Sequence, residues 1–175
     1  MAKWLDTAIF YEIYPQSFQD SNGDGIGDFQ GIIRRLDYIR DLGCNAIWMN
    51  PCFESSFHDA GYDVTDYYQA APRYGTNEDL KQLFEEVHRR GMHILLDLVP
   101  GHTSVESPWF KASCSLEENE YSNRYIWTND MMWAKEKIPG INNWLFGISD
   151  RASAVAVNCF STQPALNYGF GTVTA

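Results

Sequence analysis

Apolar positions in the N-terminal half of the chain switch between two spacings. Ala8–Tyr14 (AIFYEIY) is a short aromatic and β-branched run, which predicts a strand. Phe29, Ile32, Ile33, Leu36, Ile39 and Leu42 then recur at the spacing of one helix face, and Gly43 supplies the stop. Ala46–Met49 (AIWM) predicts a buried strand ended by Asn50-Pro51. A polar and aromatic loop runs from Cys52 to Gly75. Beyond it, Thr76 and Asp79 read as a variant capping box that opens a helix with Leu80, Leu83, Phe84 and Val87 on its apolar face. That helix stops at Gly91. Met92–Val99 (MHILLDLV) is nearly all apolar, as expected of a strand covered on both faces.

The order strand, helix, strand, helix, strand implies right-handed crossovers and a parallel sheet, hence the α/β class. From Thr103 onward the pattern dissolves into loops rich in Trp and Tyr, with only weak helical and strand runs and no internal repeat. With 175 residues, 45% hydrophobic and 21% charged, the chain is long and apolar enough to bury a core. The 15% aromatic content suits sugar-ring stacking but, on composition alone, favours core filling. A formal net charge of −10 argues against nucleic acid or an anionic membrane as partner. The cysteines Cys44, Cys52, Cys114 and Cys159 have no paired spacing, and Cys44 and Cys52 read as reduced, buried thiols. Met1–Asp6 has no apolar signal core, and no stretch reaches membrane-spanning length, so a cytoplasmic location is expected.

Asp20-Ser-Asn22-Gly-Asp24-Gly25-Ile26-Gly27-Asp28 places oxygen ligands at alternate positions. A hard cation such as Ca²⁺ takes six to eight oxygens at about 2.3–2.6 Å, and the glycines let the chain curl around it. The side chains of Asp20, Asn22, Asp24 and Asp28, with the Ile26 carbonyl, are the candidate ligands for Ca²⁺ or Mg²⁺ in a structural role. The alternative is a solvated turn. The loop starts like an EF-hand, but Gly31 stands at the twelfth position where Glu is required, and a strand rather than a helix precedes it. A dinucleotide reading fails, because Asp28 replaces the third glycine and the acids would repel phosphate.

Five segments carry a resemblance: Tyr11-Glu-Ile-Tyr-Pro-Gln-Ser-Phe18, the Asp20–Asp28 loop, Asp59-Ala-Gly-Tyr62-Asp-Val-Thr-Asp-Tyr67, Asp97-Leu-Val-Pro-Gly-His102-Thr-Ser104 and Gln163-Pro-Ala-Leu-Asn167. In this order and spacing the chain resembles the α-amylase family (glycoside hydrolase family 13), nearest its α-glucosidase and oligosaccharide-hydrolase branch. The resemblance implies the N-terminal part of a TIM (β/α)₈ barrel. Residues 1–102 would supply its first three strands and two helices, 103–160 a domain B-like insertion, and 161–175 the return towards the barrel. It also implies that Tyr62 stacks under a sugar in the reacting subsite and that Asp59 and His102 hydrogen-bond its hydroxyls. Phe160 and Gln163 would lie near the same pocket, and Asp97 would play a structural part. The ligand would be an α-linked oligosaccharide or glucan. Trp109, Trp127, Trp133 and Trp144 could line a cleft, with half or more of them expected to anchor the insertion.

Two positions depart from the family pattern: Gly101 stands where Asn commonly precedes the histidine, and Ala165 where Asp is frequent. A second ion between barrel and insertion is therefore not expected. His58, His88 and His93 show no ligand spacing. Asp63 and Asp66 read as turn caps. Retaining glycosidases need two carboxyl groups about 5–5.5 Å apart, and the family takes them from strands beyond residue 175. The expectation is a catalytically incomplete chain, open to self-association through exposed half-barrel edges. The competing readings are a non-catalytic carbohydrate-binding module and a calcium-stabilised structural piece.

Overall fold

The first apolar run commits four residues, Phe10–Ile13, to a strand (β1), after a 3-10 turn at Lys3–Thr7. Pro15 then starts a short helix, Pro15–Phe18 (α1), at the helix position where its missing N–H costs nothing. The computed structural model describes residues 2–138, 141 and 143–169, without the side chains of Trp133 and Lys137.

Helix α2, Phe29–Asp41, buries Phe29, Ile32, Leu36 and Ile39 at the spacing read from the sequence, whereas Leu42 is exposed. Gly43 leaves it at φ +91°, a left-handed turn that glycine adopts without strain. Ala46–Met49 (β2) follows. The segment read as loop contains a two-stranded sheet, Phe53–Ser55 (β3) paired with Val64–Ala70 (β4). Helix α3, Asn77–Arg89, has the capping box in full, with Thr76 and Asp79 each bonding the other's backbone N–H. His93–Leu96 (β5) is shorter than the apolar run that announced it.

β1, β2 and β5 form one parallel sheet in that order, with Glu12, Trp48 and Leu95 in one row across it. Ile13, Ile47 and Met49 point to the other face and are fully buried. α2 and α3 pack on each other, and α3 packs on β5. The expectation of a strand covered on both faces is not met: Trp48 and Leu95 remain 45% and 43% exposed on the uncovered face.

The remaining elements are Pro108–Ser113 (α4), Trp127–Thr128 (β6), Met131–Lys137 (α5), Asn143–Leu145 (β7) and Ala154–Val157 (β8). β8 lies between β6 and β7 in an antiparallel sheet and is buried along its whole length. Phe110, Tyr125, Trp127 and Val155 make one core, against which Trp109 packs. Ile126, Ile138, Ala156 and Ala165 make another, packed by Trp144. The Trp127 indole donates to Ser113 Oγ at 2.9 Å and carries the Arg151 guanidinium 4.5 Å above its ring. Three of the four tryptophans considered for a cleft thus pack into these cores. The Trp133 side chain lies outside the described residues.

The chain divides into two compact units: Met1–Glu54 with Tyr67–Leu98, and Ser55–Asp66 with Val99–Ala175. The sequence boundary after residue 102 divides the chain differently, because it leaves Ser55–Asp66 with the first three strands. Bonds across the sequence hold that segment to the second unit. Ser104 N–H donates to the Val64 carbonyl at 2.8 Å, and the Ser56 and Ser104 hydroxyls pair at 2.8 Å. Residues 170–175 of the expected return to the barrel lie outside the described residues. Among the described residues no helix is long and apolar enough to cross a membrane.

Candidate functional site

The second unit gathers three segments, 55–63, 101–104 and 158–163. The first is organised by a carboxylate. Asp63 has no exposed surface, and its oxygens accept the Ser55 hydroxyl at 2.8 Å, the His58 N–H at 2.9 Å and the Asp59 N–H at 3.2 Å. This is the turn-capping role read from the sequence. It holds a strained loop, since Phe57 and Ala60 sit at φ +55° and +52° without being glycine. Between them lies Asp59, whose carbonyl accepts the Tyr62 N–H at 2.7 Å.

The third segment locks Asp59 from the side. Gln163 Nε2 donates to Asp59 Oδ2 at 2.6 Å, while Gln163 Oε1 accepts the Phe160 N–H at 3.2 Å. Gln163 is itself fully enclosed, so in this conformation it acts on Asp59 and presents no surface to a ligand. Asp59 is half-buried, and its Oδ1 takes no hydrogen bond among the described residues. Phe160 projects outward at 55% exposure, and Tyr62 is half-buried.

His102, from the second segment, is 8% exposed. Its Nε2 lies 2.9 Å from the Tyr62 carbonyl and its Nδ1 3.1 Å from Asn158 Nδ2. Burial pushes its imidazole below the usual histidine range, against upward pulls from the Tyr62 carbonyl, Asp59 and Asp63. The structure therefore brings together Asp59, Tyr62, His102, Phe160 and Gln163. Asp97 belongs to the first unit, one residue past β5, with its N–H on the Met49 carbonyl at 2.8 Å. Reading the sequence missed Asn158, which no motif flags, and gave Asp63 no link to Asp59. The one available signal was Gly101, a glycine where a side chain is common.

In the first unit, the acids of the Asp20–Asp28 loop accept backbone N–H groups. Asp20 takes those of Asn22, Gly23 and Gly25 at 2.7–3.0 Å, which hold its carboxyl below the usual carboxylate range. Asn22 Oδ1 takes Asp24 N–H at 2.9 Å and Asp24 Oδ1 takes Ile26 N–H at 2.8 Å. Asp28 Oδ1 caps α2 through the Gly31 N–H at 2.6 Å. Among the described residues no three His, Cys, Asp or Glu side chains are drawn into a ready-made metal cage. The donors are nonetheless all oxygens, and each side chain keeps at least one oxygen with a lone pair left, as a hard cation requires.

Three parallel strands backed by two helices, and a second unit carrying a carboxylate, a tyrosine and a histidine close together, define an α/β protein with a polar site. Residues 12–168 match the family model "Alpha amylase, catalytic domain", and the chain belongs to the α-amylase family. It is 46% identical over 144 residues to an oligo-1,6-glucosidase of Bacillus sp. (strain F5), covering 82% of this chain and 28% of that protein. It is 44% identical over 174 residues to a probable alpha-glucosidase of Rhizobium meliloti (strain 1021), covering 94% of this chain and 30% of that one. A MutB mutant crystallised with the substrate sucrose superposes with a TM-score of 0.84 at 37% identity, over 96% of this chain and 31% of that chain. The chain thus spans less than a third of the length of these relatives. The fold is α/β and matches the N-terminal part of the TIM-barrel enzymes of this family, as the motifs implied.

Proposed function

We propose that the second unit recognises the hydroxyls of an α-linked glucosyl unit, and that these 175 residues bind such a sugar without hydrolysing it. The observation that carries the reading is Asp59: one oxygen is held by Gln163 at 2.6 Å and the other is left to a ligand. A carboxylate held this way meets a hydroxyl without losing side-chain freedom on binding. The Tyr62 ring would supply the stacking face, and His102 would hold the Tyr62 backbone in place. Retaining hydrolysis needs a nucleophile and an acid. Asp63, the carboxylate nearest along the chain, is fully enclosed and takes three hydrogen bonds, so of these two only Asp59 is open to a substrate.

Calorimetric titration of maltose and isomaltose into the chain tests this. Binding weakened about tenfold, roughly 1.4 kcal/mol, by Asp59→Ala and by Tyr62→Ala is expected. Release of nitrophenol from a p-nitrophenyl α-glucoside is expected to stay at the blank rate. No binding by a folded chain would leave a structural piece, and turnover above the blank would remove the claim of incompleteness.

We further propose that the Asp20–Asp28 loop takes one Ca²⁺ (or Mg²⁺) through Asp20, Asn22, Asp24, Asp28 and the Ile26 carbonyl, in a structural role. The all-oxygen donor set supports it, as do Gly23 and Gly25, both at φ +88° with open space around them. Thermal unfolding is expected to rise on adding Ca²⁺ and to respond much less in Asp24→Asn. Equal midpoints with Ca²⁺ and with EDTA would refute the site. Four free cysteines suit a reducing, cytoplasmic location. The open edges β1 and β5 leave self-association as the further partner to be read by sedimentation velocity.

A further inference from the structure

Gly101, His102, Asn158 and Tyr62 form a hydrogen-bond chain whose proton positions can be worked out from its ends. The Gly101 carbonyl can only accept, and Asn158 Nδ2 lies 3.0 Å from it, which fixes the amide with its NH₂ towards Gly101. The flipped amide would set two carbonyl oxygens against each other. The same NH₂ is 3.1 Å from His102 Nδ1, which must therefore accept. The proton of the neutral ring then sits on Nε2, 2.9 Å from the Tyr62 carbonyl, again a pure acceptor. Every donor in this chain meets an acceptor only when His102 is neutral and Nε2-protonated. A cationic ring would turn an Nδ1–H towards the Asn158 NH₂.

Gly101 is part of the same device. A Cβ there would come within 2.9 Å of Asn158 Nδ2, so the amide occupies the space that any side chain at 101 would need. Asn158 is held in turn by its own N–H on the Gln163 carbonyl at 3.0 Å, in the segment that locks Asp59.

We propose that Asn158 is a positioning residue that fixes His102 as its Nε2–H tautomer, and that residue 101 is glycine because the Asn158 amide fills its side-chain space. The tautomer follows from the geometry alone. Its benefit to sugar binding rests on the function proposed above, since His102 steadies the Tyr62 backbone through that bond.

The test is ¹⁵N spectroscopy of histidine-labelled full chain, with the His102 signals assigned by their loss in His102→Gln. In the parent, Nδ1 is expected at the unprotonated end of the imidazole range and Nε2 at the protonated end at neutral pH. A parent spectrum showing Nδ1–H overturns the proposal without any variant. In Asn158→Asp a carboxylate faces Nδ1, beside the Asp59 and Asp63 carboxylates that already act on the ring. Protonation of Nδ1 and a proton affinity raised roughly tenfold or more are expected there. An unchanged titration would overturn the positioning role. For glycine, Gly101→Ala is expected to destabilise the parent and to do so far less in an Asn158→Ala background, and additive losses would refute the shared space. Maltose binding read on the same samples separates the two claims. An Nε2–H ring in a chain without sugar affinity removes the functional reading and leaves this one standing.

Discussion

Asp63→Ala is expected to cost about 3 kcal/mol or more of folding stability, read as a lower urea midpoint, and to abolish sugar binding with it. Asp63 is enclosed and offers its oxygens to the Ser55 hydroxyl and to the backbone N–H groups of His58 and Asp59. Alanine leaves those half-buried donors behind, and a donor left unsatisfied costs roughly 1–3 kcal/mol where water does not reach it. Relief from burying a charge offsets part of the loss, which keeps the expected sum near the low end. The loop also stores backbone strain at Phe57 and Ala60. With the carboxylate gone, relaxing that strain moves Asp59, which lies between them. Asp63→Asn keeps one acceptor but turns an NH₂ towards an N–H or hydroxyl donor, so a smaller loss, about 1–2 kcal/mol, is expected. A loss under about 1 kcal/mol for Asp63→Ala would mean that the loop is held by something else.

The helices were legible in the sequence because their signals are local. The periodic apolar faces of α2 and α3, the capping box at Thr76 and the stop at Gly43 act within a few residues. β4 was missed because Val64-Thr-Asp-Tyr-Tyr-Gln-Ala alternates poorly and its partner β3 has only three residues. The expected cover over Leu95 failed for a different reason. An apolar strand announces that it is buried in its final setting, and these residues leave one sheet face open. The site was legible only as a set of candidates. Asp59, Tyr62 and His102 came from motifs, but the work of Gln163 and Asn158 depends on hydrogen bonds across 104 and 56 positions of chain. No local pattern encodes such pairs. The setting of Ala165 likewise shows only in the fold: it is buried against Ile126, Ile138 and Ala156, an apolar surface that suits its methyl group.

Gly31→Glu supplies the side chain that an EF-hand needs at its twelfth position, and it is expected to damage the protein rather than complete a metal site. Glycine inside a helix is ordinarily a weakness, and replacing it gains about 1 kcal/mol of helix propensity. Here the sign reverses. A Cβ on Gly31 would stand 1.9 Å from the Gln19 carbonyl oxygen and 2.7 Å from its carbon, both backbone atoms that cannot swing aside. Gly27 is under the same constraint, with 2.1 Å to the Pro15 carbonyl oxygen. These contacts let the turn after α1 close onto the first turn of α2. Relieving one of them requires moving α1 or unwinding the cap that Asp28 makes to the Gly31 N–H. Overpacking against such a surface costs about 3 kcal/mol, at the upper end of its usual range. The measurement is urea unfolding of Gly31→Glu and Gly31→Ala with and without Ca²⁺. Both variants are expected to lose stability, and Ca²⁺ is expected to restore neither. A Gly31→Glu chain as stable as the parent and binding Ca²⁺ more tightly would show that the loop can close as an EF-hand does, and that the contact with Gln19 is not what excludes a side chain at this position.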